Sequence, residues 1–355
     1  MRAIMLEEFK GKMLVKKVPD PKLSDDNAVI IKIVANGICR SDWHEWMGDW
    51  EWVGLFPTLP IIPGHEACGY IEEVGKNVKK FKKGDRIVVP VAVGCVTCPY
   101  CEVHNSNNCN TLRITGFSFN GTFAEYMNFP DADYNLFKLP ECLDYPAGSA
   151  LGCRFQTAYH GVVSRGQVKP GDKVAVFGCG GIGLTAIDVC SSMGAYVIAV
   201  DIDDKKLQLA KKVGAHDVVN AKKTPAVQAI KDLTWGGADM SVDALGIAET
   251  CLNSILCLRN RGRQVQIGLT TQEGPGGADK GMVSVPLDVI TAMELSINGS
   301  LTMPKNQYAQ MLTHIEKGTI NPGKYVTKTV TLEEAPAIIE SMTGYGTFGV
   351  NVVLM

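Results

Sequence analysis

Cys95, Cys98, Cys101 and Cys109 form a C-x2-C-x2-C-x7-C cluster. Four thiolates so close in sequence can converge on one tetrahedral ion, with zinc–sulfur bonds of about 2.3 Å. Pro99, Asn105 and Asn107-Asn108 supply the turns between them. Sulfur fills every coordination place, so no position is left for a substrate and the site is read as structural. An iron–sulfur cluster is the competing occupant, because it too takes four thiolates. A second grouping is Cys39 in Gly37-Ile38-Cys39-Arg40-Ser41-Asp42, His65 in Pro63-Gly64-His65-Glu66, and Cys153 in Leu151-Gly152-Cys153-Arg154. Two thiolates and an imidazole leave a fourth place open, as a catalytic zinc requires. Spacing alone does not separate this set from three packed side chains.

A third feature is Gly178-Cys179-Gly180-Gly181-Ile182-Gly183, which fits G-x-G-x-x-G. It follows an apolar strand and opens a helical pattern, the context in which the motif binds a dinucleotide. Gly178, Gly180, Gly181 and Gly183 allow a tight turn and bring the pyrophosphate to a helix N-terminus. Asp201 closes the next strand, about 20 positions on. Its carboxylate is placed to bond ribose hydroxyls and would repel the 2′-phosphate of NADP, so NAD is the expected cofactor.

These residues need elements to hold them. The first 150 or so residues read as short strands broken by turns: Ala28 to Val34, Tyr70 to Gly75, Arg86 to Pro90. Near residue 150 the texture changes. Val174 to Phe177, Tyr196 to Val200, Asp217 to Val219, Met240 to Ala244 and Gln264 to Ile267 read as strands. Helical patterns at Leu184-Ile187-Cys190 and Lys205 to Val213 lie between them. Strands alternating with helices predict a parallel, doubly wound sheet. The tail ends in a β-like Val350 to Met355, and the glycine-rich Gln272 to Gly281 reads as a mobile surface loop.

Composition sets the outer bounds. The chain has 355 residues, 46% of them hydrophobic, and a net charge of −2. Two domains are expected, and bulk attraction to nucleic acid is not. No apolar run approaches the roughly 20 residues of a membrane span. The first residues lack the apolar core of a signal peptide, which points to the cytoplasm. In that compartment twelve cysteines speak for metal binding rather than disulfides. Cys68, Cys142, Cys179, Cys190, Cys251 and Cys257, outside the two groupings, read as buried apolar thiols.

Gly37 to His44, Gly64-His65-Glu66, the four-cysteine lobe, Leu151-Gly152-Cys153 and the glycine fingerprint occur in one order along nearly the whole chain. In this the sequence resembles the zinc-dependent medium-chain alcohol dehydrogenases. The resemblance implies an α/β protein with a Rossmann doubly wound sheet, residues 155–298. This is inserted into a β-rich, GroES-like catalytic domain made of residues 1–154 and 299–355, with a structural zinc lobe at 94–110. It implies that Cys39, His65 and Cys153 hold a catalytic zinc, that Glu66 stands behind the metal or replaces its water, and that Asp42 orients His65. Lys206 would reach the ribose, Arg40 the pyrophosphate, and Thr157 would pack near the nicotinamide. Ser41 and His44 would relay the alcohol proton, His44 having an ordinary pKa near 6.5 that suits the task. Trp46 and Trp50 are candidate walls of the substrate pocket, and the run Trp52-Val53-Gly54-Leu55-Phe56 departs from the common pattern. Such enzymes pass hydride reversibly between an alcohol and NAD, and zinc eases the proton loss as it does for bound water, whose pKa it lowers from roughly 15.7 to 7. The resemblance implies a homo-dimer or homo-tetramer and a small alcohol or carbonyl substrate, with no nucleic-acid or membrane partner. Alternatives are a polyol or thiol-adduct dehydrogenase of the same fold, or a non-catalytic NAD-binding protein. The thiolate at Cys153 weighs against the polyol enzymes, many of which place Glu there.

Overall fold

A computed structural model describes residues 1–51, 54–269, 281–344 and 346–355. The readings made for Trp52-Val53 and for nearly all of Gln272–Gly281 lie outside these residues. The chain forms two compact units: residues 1–156, 302–318 and 326–355 in one, 157–301 and 319–325 in the other.

The first unit is organised by the ten-residue strand Val29–Ile38. Its run of β-branched residues favours extended backbone, and Val29, Ile31 and Ile33 are buried with Ile71, Ile87, Val89 and Phe129. It pairs antiparallel with Ala67–Val74 and, along its other edge, with Tyr126–Phe129 and Val350–Leu354. Arg86–Val88 and Phe137–Lys138 extend the sheet on one side and Val326–Val330 on the other, making a path of six strands with Tyr126–Phe129 beside it as the seventh. The C-terminal strand is thus part of the N-terminal sheet.

The register of this sheet sets the position of the functional residues. Asn36 lies opposite Ala67, and the Gly37 amide donates to the Glu66 carbonyl at 2.7 Å. Cys39, which follows one strand, and His65, which precedes the other, therefore emerge at the same end of a paired ribbon. The third strip of backbone comes in beside them, because the Val91 amide donates to the Gly152 carbonyl at 2.8 Å. A side chain at Gly152 would put its Cβ 2.5 Å from the Val89 carbonyl oxygen, so only glycine lets residues 151–153 approach.

The second unit is a six-stranded parallel sheet. Its order is Asp217–Asn220, Tyr196–Asp201, Lys173–Phe177, Ala238–Asp243, Leu258–Gln266, Ser296–Gly299. That is the doubly wound order in which the first strand lies centrally and the chain reverses beside it. Helices Gly181–Ser192 and Asp204–Val213 connect the first strands. Val174, Ala175, Val176 and Phe177 are all buried, the continuous apolar run expected where helices cover both faces. Residues 319–325 join this unit through Asp188, which accepts from the Asn321 amide and from Lys324 at 2.7 Å. No helix among the described residues is long and apolar enough to cross a membrane.

Candidate functional site

Cys39 is the N-cap of helix Arg40–Met47. Asp42, on the first turn, accepts the Cys39 amide through Oδ2 at 2.7 Å. Its other oxygen lies 3.0 Å from His65 Nδ1. A carboxylate facing Nδ1 keeps the proton there and turns Nε2 toward a metal. The sulfurs of Cys39 and Cys153 and a ring nitrogen of His65 lie within 4.8 Å of one another, all three buried. Three converging donors of thiolate and imidazole type, one fewer than a tetrahedral ion takes, suit zinc. Ser41 follows on the same turn, its hydroxyl 3.7 Å from the Cys39 sulfur.

Glu66 is held in an ion pair with Arg154. Arg154 gives it a backbone N–H at 2.8 Å and a guanidinium N–H at 3.0 Å, and a second guanidinium nitrogen closes on its other oxygen. Both residues are buried. Burial pushes the Glu66 carboxyl up, against the pull of Arg154. Gly37 is packed against this pair, since a Cβ there would lie 2.3 Å from Glu66 Oε2. Arg154 carries no signal in the sequence beyond its place after Cys153.

His44 is buried in the same helix, and burial lowers its imidazole below the ordinary value while Asp49 opposes the shift. The structure parts the two tryptophans. Trp50 stacks on His44 at 4.3 Å and lies 6.0 Å from Phe117, whose ring is 6.3 Å from that of His65. Phe117 also lines a recess of about 470 Å³ with Leu55, Phe56, Thr58 and Ile61. Trp46 instead donates its indole N–H to the Gly11 carbonyl at 2.7 Å and packs on the cluster of Ile4, Leu6 and Trp43. Phe117 and Asp49 were not singled out from sequence, Phe117 because its neighbours come from distant segments. The Arg40 guanidinium lies 3.7 Å over Trp43 and donates to the Met342 carbonyl.

The four-cysteine lobe is a separate centre in the same unit. Cys95, Cys98, Cys101 and Cys109 bring their sulfurs within 4.8 Å of one another, with Cys98 and Cys109 at 3.8 Å. Tetrahedral zinc with bonds of about 2.3 Å needs sulfurs roughly 3.8 Å apart. Four thiolates around an iron–sulfur cube stand wider, so the spacing answers the alternative in favour of zinc. Backbone amides of Thr97 and Cys98 hold the Cys95 thiol down at about 5. Gly94 is required because a Cβ would meet the Cys101 sulfur at 2.9 Å. No cysteine is paired in a disulfide. Cys142 departs from its expected burial: it is exposed in the turn before Asp144, and Cys251 is half-buried.

In the second unit, Gly178 adopts φ 91° and Gly183 packs so closely that a Cβ would come 1.7 Å from the Gly178 carbonyl oxygen. A Cβ at Gly180 would meet nothing within 4 Å. That open side, at the N-cap of helix Gly181–Ser192, fits a pyrophosphate. Asp201 accepts the Cys179 amide at 2.8 Å and those of Ile202 and Asp203 at 2.7 and 3.0 Å. Its carboxylate is thus fixed beside the loop, where a ribose would lie. Asp203 caps helix Asp204–Val213 by accepting from the amides of Lys205 and Lys206, placing Lys206 on its first turn. Thr157 opens this unit on helix Arg154–Tyr159.

Comparison with known proteins agrees with this geometry. The family model described as alcohol dehydrogenase GroES-like domain matches residues 25–141, and that described as zinc-binding dehydrogenase matches residues 181–317. An alcohol dehydrogenase of Geobacillus stearothermophilus is 34% identical over 345 residues, 96% of each chain. An NAD-dependent alcohol dehydrogenase of Sulfurisphaera tokodaii is 32% identical over 363 aligned positions, 100% of each chain. The solved alcohol dehydrogenase of Thermus sp. ATN1 superposes with a TM-score of 0.88 at 29% identity, covering 100% of this chain and 99% of its own.

Proposed function

The chain belongs to the zinc-dependent medium-chain alcohol dehydrogenases, and from that premise we propose that it catalyses reversible hydride transfer between a primary or secondary alcohol and NAD. The observation that carries this reading is the buried, open set of Cys39, His65 and Cys153 with Asp42 behind the imidazole. Bound there, zinc supplies Lewis acidity that favours loss of the alcohol proton, and bound NAD accepts the hydride. The protein's own groups do the rest. Asp42 holds His65 in the metal-binding tautomer. The Ser41 hydroxyl takes the proton from the alcohol, and His44, kept neutral at pH 7 by burial, carries one onward to water. Arg154 neutralises Glu66 and keeps that carboxylate off the fourth coordination place. The Trp50 and Phe117 rings, packed beside His44 and His65, support a preference for small or flat substrates over polyols.

Gly178, Gly180, Gly181 and Gly183 seat the pyrophosphate, and Asp201 with Lys206 selects NAD through the ribose. Arg40 keeps the pyrophosphate role that the family resemblance implies for it. We place the enzyme in the cytoplasm, in keeping with twelve unpaired thiols. We take it to work as a homo-dimer or homo-tetramer, an assembly the half-exposed Ile297 of edge strand Ser296–Gly299 would support.

The test is NAD reduction by the zinc-loaded protein over primary, secondary, aromatic and diol substrates, with metal analysis alongside. Two zinc ions per chain and turnover of simple alcohols are expected, and Cys153→Ala should retain one zinc and lose turnover. Two zinc ions with no NAD reduction on any alcohol would leave a non-catalytic NAD-binding protein.

A further inference from the structure

Helix Arg40–Met47 ends at Gly48, which adopts φ 65° and donates its amide back to the carbonyls of Glu45 and His44. Glycine is needed there twice over. The left-handed backbone disfavours a side chain, and a Cβ would meet the Phe9 ring at 2.7 Å. This reversal returns the next residue along the helix it has just left. Asp49 thereby puts both carboxylate oxygens against His44 Nδ1, at 2.9 and 3.0 Å. The same turn delivers Trp50, whose ring stacks on the imidazole at 15°. Trp43 meets the imidazole edge-on at 4.9 Å. His44 is thus gripped on a face, an edge and one nitrogen by residues within six positions of it.

We propose that Asp49 is a positioning residue of the proton relay: it fixes the His44 tautomer with the proton on Nδ1, so that Nε2 is the atom free to receive a proton. The inference rests on the relay reading of His44 and deepens it. An ionised carboxylate only accepts hydrogen bonds, so a neutral imidazole facing it must donate from Nδ1. Without that partner the ring is free to take the other tautomer, in which Nε2 carries a proton and cannot accept one. The same pairing of carboxylate and imidazole holds the base of serine hydrolases in its working tautomer. Asp49 also stabilises the imidazolium that forms when the proton arrives.

The test combines kinetics with nitrogen-15 NMR of labelled histidine, of which the chain has six. In the wild-type protein the His44 resonances should report a protonated Nδ1. Asp49→Asn should lower kcat for alcohol oxidation about 10- to 100-fold, within the range expected for a general base, and leave KM within about twofold. Of the charged groups facing His44, Asp49 and Cys39 raise its pKa and Arg40 lowers it. Losing Asp49 should therefore move the acid limb of the kcat profile to lower pH by about one unit. His44→Gln and the double variant should be equally slow, because Asp49 acts only through His44. Additive losses, or a wild-type His44 protonated on Nε2, would overturn the proposal. Should His44→Gln leave rate and profile untouched, the relay itself falls, and the wild-type spectrum alone then decides the pairing. That spectrum also decides if Asp49→Asn fails to fold.

Discussion

Arg154 and Glu66 are 88 positions apart and meet inside the first unit. A buried ion pair is worth little against an apolar pair of equal volume, but removing one partner strands the other charge at a cost of about 3–5 kcal/mol. Arg154→Met should therefore lower the urea stability of the metal-loaded protein by that amount, and Arg154→Met with Glu66→Leu should recover most of it. A double variant as unstable as the single would show that Arg154 does something other than neutralise Glu66. Asp201 poses a different question, since its Oδ1 serves two amides while its charge serves specificity. Asp201→Asn keeps an acceptor and removes the charge. The ratio of kcat/KM with NADP to that with NAD should rise at least tenfold, about 1.4 kcal/mol. An unchanged ratio would take Asp201 out of cofactor selection. At this scale the sequence exposes what is local. The cysteine quartet and the glycine loop carry their chemistry in their spacing. Asp49 lies only five residues from His44, yet its role depends on the left-handed turn at Gly48. Arg154 and Phe117 meet their partners through the sheet, and no short-range pattern records that.

Elements explain why the donors converge. Cys39 and His65 sit at one end of two antiparallel strands, so the register between Val29–Ile38 and Ala67–Val74 doubles as the metal geometry. Alternating strands and helices after residue 170 were legible because burial on both faces leaves long apolar runs. The helix Arg40–Met47 is hard to read among the strands, its periodicity masked by buried charged and polar residues, Asp42, His44 and Glu45, of which Asp42 backs the metal donors and His44 belongs to the proposed relay. The zinc lobe is an element held by its ion. Its regular structure is limited to the short helices Pro99–Glu102 and Ser106–Asn108 and a two-stranded pairing of Ala92–Val93 with Arg113–Ile114. Cys98→Ser should reduce the zinc content from two to one and open the lobe to proteolysis near residues 95–110, while leaving the Cys39 centre loaded. Loss of both ions in that variant would mean that the two centres share their stability.

Each unit has hydrophobic packing of its own: the first about Val29, Ile71 and Phe129 and about Ile4, Leu6 and Trp43, the second about Phe177, Ile198 and Ile230. Each unit owns a different ligand: the zinc donors all lie within residues 1–156, and the glycine loop with Asp201 lies within 157–301. A ligand that binds only the folded state stabilises it by mass action, about 2.7 kcal/mol at 100 times its Kd. The two units should therefore respond to different additives in calorimetry. NAD should raise the transition that belongs to residues 157–301. Chelation of zinc should lower the other, because donors left without their ion are buried thiols and an imidazole whose pairing the fold has prepared. Hydrogen exchange read by peptide assigns each transition to its segment. If one indivisible transition answers to both NAD and chelator, the cores are not separate cooperative units, and the stabilisation supplied by either ligand spreads through all 355 residues.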